Sequence, residues 1–86
     1  MIRVELSFTA DPSRLELRPQ HRERLAALHA AGDLVMAGPW DDDSGALLVF
    51  SCGLAEVNQT LADDPYYSAP GVTVASVRDW RVVTGG

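Results

Sequence analysis

The stretch LVMAGPWDDDSGALLVFSC, residues 34–52, decides how this 86-residue chain folds. Two apolar runs, Leu34 to Trp40 and Ala46 to Cys52, flank Asp41-Asp42-Asp43-Ser44-Gly45. Short apolar runs bounded by turn-forming residues read as strands, here joined as a hairpin. Gly38-Pro39 is expected to interrupt the first strand. The core of the second, Ala46-Leu47-Leu48-Val49-Phe50, does not alternate with polar residues, so it is expected to be buried on both faces.

Working outward, each side of the hairpin carries one helix and one further strand. Upstream, Ile2, Val4, Leu6 and Phe8 alternate with Arg3, Glu5, Ser7 and Thr9, a strand with one apolar face. Asp11-Pro12-Ser13 breaks that pattern. Leu17, His21, Leu25 and Leu28 then recur at spacings of four, four and three, a helical stripe. The helix is expected to start at Pro19, whose missing N–H costs nothing in a first turn, and to stop at Gly32. Downstream, Leu54, Val57 and Leu61 mark a second helix that Pro65 ends. Val72 to Val83, after the Pro70-Gly71 turn, reads as the last strand.

The order βαββαβ predicts an α+β ferredoxin-like sandwich, residues 1–86 as a single domain: a four-stranded antiparallel sheet with two helices on one face. The other face then lacks a layer. A second copy of the chain would cover it through a twofold contact, so a homodimer is expected.

Composition narrows the function classes. A net charge of −5 argues against nucleic acid, which needs a basic face. No apolar run approaches the roughly 20 residues of a membrane span, and the N-terminus does not read as a signal peptide, so the cytoplasm is the expected compartment. One cysteine, Cys52, excludes an internal disulfide, and its place in an apolar strand gives it a packing role. All seven basic residues are arginine, and their interspersion with acids reads as a compositional habit.

No metal or cofactor is expected. His21 and His29 lie eight residues apart, about 80° round a helix, and do not converge on one ion. The Asp41–Asp43 run resembles the start of a calcium loop, but that loop's twelfth position would be Cys52 instead of glutamate. No serine elbow or phosphate-cradling glycine loop is present.

His21 remains, in the apolar stripe of the first helix where Leu or Ala is expected. Asp64 falls seven residues after Val57, so it too projects inward, at a helix C-terminus where the macrodipole disfavours a carboxylate. Each has a plain alternative: a satisfied core histidine and a solvated helix-ending acid. Topology brings the two together, because the first helix begins at the end of the helical layer where the second one finishes.

Four short pieces carry a family resemblance: Arg18-Pro19-Gln20-His21, Leu28-His29-Ala30-Ala31-Gly32, Ala37-Gly38-Pro39 and Ala62-Asp63-Asp64-Pro65-Tyr66. In this order and spacing the chain resembles the YCII-related family, dimeric α/β-barrel proteins of ferredoxin-like fold. The resemblance implies a histidine–aspartate active site, which maps onto His21 and Asp64. It also implies a small cyclic or aromatic substrate, since characterised relatives work by dehydrochlorination, and related barrels by isomerisation. The hairpin between the second and third strands is shorter here than in longer relatives. His29 belongs to the resemblance as well, with a structural role at the helix end.

The reading is therefore an enzyme of the isomerase or lyase class acting on a small-molecule ligand by proton transfer. His21 is its general acid or base, Asp64 orients it, and Trp40 and Tyr66 line the pocket. The alternative is a non-catalytic ligand-binding or accessory module that keeps the pair for structure.

Overall fold

A computed structural model describes residues 1–85. Its elements are β1 (Ile2–Phe8), α1 (Arg14–Ala30), β2 (Leu34–Pro39), β3 (Gly45–Phe50), α2 (Leu54–Asp63), a short 3-10 turn (Pro65–Ser68) and β4 (Val72–Asp79). The strands form one sheet in the order β2-β3-β1-β4, every neighbouring pair antiparallel. The expected α+β, ferredoxin-like βαββαβ architecture is the observed one. No helix among the described residues is long and apolar enough to cross a membrane.

Period-two patterning places Ile2, Val4 and Leu6 on the helix side of the sheet, in register with Phe50, Leu48 and Ala46 of β3. Val4, Leu48, Phe50 and, from α2, Val57 are fully buried and form the centre of the core. Leu17, Leu25 and Leu28 of α1 pack against it half-buried, as their helical spacing requires. Leu54 departs from its expected inward place. It opens α2 at 53% exposure, so only Val57 and Leu61 carry that stripe inward.

Several boundaries correct the sequence reading. Helix α1 starts at Arg14, and Pro19 is its sixth residue. The proline that shapes the start is Pro12. Asp11 Oδ1 accepts from the backbone N–H and the hydroxyl of Ser13 (2.9 and 2.6 Å), and the Leu15 N–H donates to the Pro12 carbonyl at 2.9 Å. That turn runs straight into the helix, and the buried face of α1 outweighs the backbone hydrogen bond that Pro19 cannot make. The far end follows expectation. Gly32 has φ +87°, its N–H donates to the His29 carbonyl, and that of Asp33 donates to Leu28, the paired bonds of a Schellman motif.

Gly38-Pro39 does not interrupt β2, because β2 is an edge strand and a proline there can face away from the ladder. Strand β3 ends at Phe50, which leaves Cys52 half-buried in the following bend and outside the strand. Strand β4 ends at Asp79, four residues before Val83.

The helix-free face of the sheet is divided. On its β2–β3 half, Met36 (63% exposed) stands beside Val49 and partly buried Leu47. On its β1–β4 half, Glu5 Oε1 holds Arg3 at 2.7 Å and Arg78 at 3.4 Å. Val49 is only 5% exposed, with Arg3 and Met36 opposite it on the two flanking strands. Burial of β3 on both faces is thus met at Val49 within one chain, and only in part at Leu47.

Candidate active site

Helix α1 carries the site on its first half. Arg14, Arg18, His21 and Leu25 fall within about 60° of one another at 100° per residue. All four line a cavity of about 280 Å³ between α1, the ends of β1 and β2, the start of β3 and Tyr66. Its floor is apolar, made by Leu6, Phe8, Ala46 and Leu48.

His21 and Asp64 meet as the topology requires. Nδ1 of His21 lies 2.7 Å from Oδ2 of Asp64, and both side chains are more than nine-tenths buried. A carboxylate offers only lone pairs, so the proton between them sits on Nδ1, and in the neutral ring Nε2 then keeps its lone pair. His21 lines the cavity and Asp64 does not, which puts the ring between the carboxylate and the open space. The ring stacks on Tyr66 (centroids 3.9 Å apart, planes 5° off parallel) and meets the edge of Tyr67 at 5.2 Å. Two aromatic rings and one carboxylate leave it a single orientation.

Asp64 reaches this place for a reason the sequence reading misjudged. It terminates α2 in an extended conformation and at the same time caps the 3-10 turn that follows. Its Oδ1 accepts the Tyr66 N–H at 3.0 Å and lies 3.4 Å from Arg24 Nη1. The carboxylate therefore sits at a favourable N-terminus instead of opposing a helix dipole. With three donors around it, a buried charge is compensated. The signal was present, since Asp64-Pro65 is an N-cap followed by the residue best suited to the first position of a new turn.

Tyr66 lines the cavity. Trp40 lies outside the lining, 44% exposed on the hairpin, so this chain's own cavity does not use it. His29 closes the end of α1, its Nδ1 2.9 Å from the Leu34 carbonyl oxygen. The aspartate run is a folded turn: Asp42 accepts from the N–H and hydroxyl of Ser44, and Asp43 turns back toward α1. No group of three or more metal-ligating side chains occurs among the described residues.

Sequence reasoning missed the arginines. Arg14 is buried (6% exposed), its guanidinium 4.1 Å above the Phe8 ring. One terminal nitrogen donates to Asp43 Oδ2 at 2.8 Å and the other to the Tyr66 hydroxyl at 3.4 Å. Burial works against its charge, but Asp43 and Tyr66 outweigh that cost and hold its pKa above the ordinary arginine value. Its Nε is buried and bonds to nothing among the described residues, a loss of about 1–3 kcal/mol for an unsatisfied donor. Asp43 faces it from a left-handed backbone (φ 58°), a conformation that aspartate tolerates better than most residues. The spacing Arg14, Arg18, Arg22 was the available signal, one arginine per helical turn in step with His21.

The model of the YCII-related domain family matches residues 3–81. No curated protein matches the chain.

Proposed function

The chain belongs to the YCII-related family, and from that premise we propose that it is a small-molecule enzyme using His21 and Asp64 to transfer a proton on a cyclic substrate, as an isomerase or lyase. The observation that carries this reading is the 2.7 Å bond from Asp64 to Nδ1 of a ring that lines an open cavity. Asp64 fixes the tautomer, and Nε2 is left to take a proton from carbon. The imidazolium so formed is stabilised by the same carboxylate. Returning the proton to a different carbon completes an isomerisation. In a dehydrochlorination, the electron pair left on carbon forms the new double bond and expels chloride while the proton stays on His21.

We propose further that the working unit is a cytoplasmic homodimer. Support for the dimer comes from exposed Met36 and partly buried Leu47 on the face that carries no helix.

Deuterium exchange tests the chemistry before any substrate is identified. A panel of cyclic ketones and lactones in D2O is screened by proton NMR for enzyme-dependent loss of a C–H signal. His21→Asn should lower the exchange rate by about 10²–10⁴-fold, the usual worth of a general base. Asp64→Asn should lower it as well. The amide oxygen can still accept from Tyr66, but the amide N–H would face Nδ1 and drive the ring into the other tautomer.

A second reading has its own observation. A ring stacked on Tyr66, edged by Tyr67 and bonded to Asp64 is also a fully satisfied core histidine, as a non-catalytic ligand-binding module would keep it. His21→Asn with undiminished exchange, or with loss of folding, would favour that module.

A further inference from the structure

We infer that the cavity beside His21 takes a small cyclic carboxylate, its anion held by Arg14, Arg18 and Arg22 and its ring lying on the apolar floor. The inference rests on the proposed proton-transfer site and names the substrate class for it.

Charge points the same way from two scales. The chain as a whole carries a net charge of −5. The cavity wall opposes that sign, with three arginines against the single carboxylate of Asp43. Arg18 and Arg22 make no ion pair or side-chain hydrogen bond among the described residues, whereas Arg3, Arg14, Arg24 and Arg78 all do. Arg14 is more than nine-tenths buried, lines the cavity and keeps one buried N–H without an acceptor. Phe8 below, Asp43 at one nitrogen and the Tyr66 hydroxyl at the other hold the guanidinium rigid. An arginine fixed in this way gives the cavity wall a positive charge that need not reorganise to meet an oxygen anion.

Size and lining select the rest of the molecule. At about 280 Å³ the cavity sits at the small end of ligand sites, which run roughly 300–1,000 Å³. A single ring with one acidic substituent suits it, and a nucleotide or a peptide does not. The floor of Leu6, Phe8, Ala46 and Leu48 offers apolar contact to the ring, and Tyr66 ties the two ends together. Its hydroxyl accepts from Arg14 while its face stacks on His21, so an anion seated at Arg14 lies one tyrosine away from the base.

The test uses the whole chain with sodium benzoate, benzamide and inorganic phosphate as probes, followed by 1H–15N NMR. Benzoate should bind saturably and shift the Arg14 Nε–H resonance. Benzamide has the same shape without the charge and should bind roughly tenfold or more weakly, the difference expected for a hydrogen bond to a charged group. Arg18→Gln and Arg22→Gln, both away from the core, should each weaken benzoate by about two- to fivefold. Arg14→Lys keeps the charge but loses the planar guanidinium that Phe8, Asp43 and Tyr66 hold in place, and should weaken it further. Should that variant fail to fold, the two outer replacements carry the test.

Equal binding of benzoate and benzamide would overturn the inference, as would benzoate binding indifferent to all three replacements. Phosphate bound more tightly than benzoate would make the occupant a phosphoester and overturn the carboxylate assignment. The readout is binding without turnover. Failure of proton transfer at His21 therefore leaves this result standing, and the reverse holds too.

Discussion

Cys52 sits half-buried just past the end of β3, packed against the core without belonging to the strand. Burial raises its thiol pKa, and the negative charges of Asp33 and Glu56 push the same way. The thiolate is the reactive form, so alkylation of the native protein at neutral pH should be slow and should speed up as pH rises past the ordinary thiol value. Rapid labelling at neutral pH would contradict that placement. Tyr67 makes the complementary case. Its hydroxyl is buried without a partner among the described residues, and burial with the nearby Asp64 holds its pKa far above the ordinary phenol value. Tyr67→Phe removes only the unsatisfied oxygen and keeps the ring that edges His21. It should therefore leave stability unchanged or raise it by about 1 kcal/mol, read by denaturant titration. At this scale the sequence was uneven. His21 stood out as a polar residue in an apolar stripe, whereas Arg14 looked like a solvated charge. Its burial depends on Phe8, Asp43 and Tyr66, which come from three separate parts of the chain.

Elements were the most legible level, and their ends the least. Periodicity located β1 and both helices because burial on one face imposes it, and turn-forming residues bounded the other three strands. It said little about where each stops, since ends are set by caps and sheet position. Pro19 illustrates this: it lies inside α1, where it removes one backbone bond. Pro19→Ala restores that N–H opposite the Leu15 carbonyl. The helix-interior penalty of about 3 kcal/mol for proline, less about 1 kcal/mol for its stiffening of the unfolded chain, predicts a net gain of about 2 kcal/mol. Thermal or denaturant unfolding reads it, and a loss of stability would show that the proline itself is needed at position 19. Gly45 behaves oppositely. It is buried where β3 pairs with β1, and a side chain there would run into the Leu6 backbone carbonyl. Gly45→Ala should cost about 3 kcal/mol. The 3-10 turn escaped notice because four residues are too few to show a period, although its capping pair was in view.

For the whole molecule, topology was worth more than any motif. The order and direction of the elements were enough to bring His21 to Asp64 across 43 residues of sequence. The same reasoning exposes a sheet face with no helical layer. On it, an apolar patch around Met36 adjoins the charged cluster of Arg3, Glu5 and Arg78. Two such faces related by a twofold axis would bury the apolar halves while the charged halves remain paired or wet. Sedimentation at micromolar concentration should then give twice the monomer mass of 9.3 kDa. Met36→Lys should shift that equilibrium toward monomer without unfolding the chain, because Met36 is 63% exposed in the single subunit. A clean monomer for the unaltered protein would remove the dimer.

Asp64 closes one helix, opens the next turn and holds the His21 ring, and only the last of these duties depends on chemistry. His21 caps nothing. The two residues should accordingly erode at different rates during descent. A lineage that abandoned its reaction would shed the histidine first, while the aspartate persisted as a fossil of the scaffold. Among relatives, histidine lost with aspartate retained should outnumber the converse if the proposed proton transfer is what keeps the histidine.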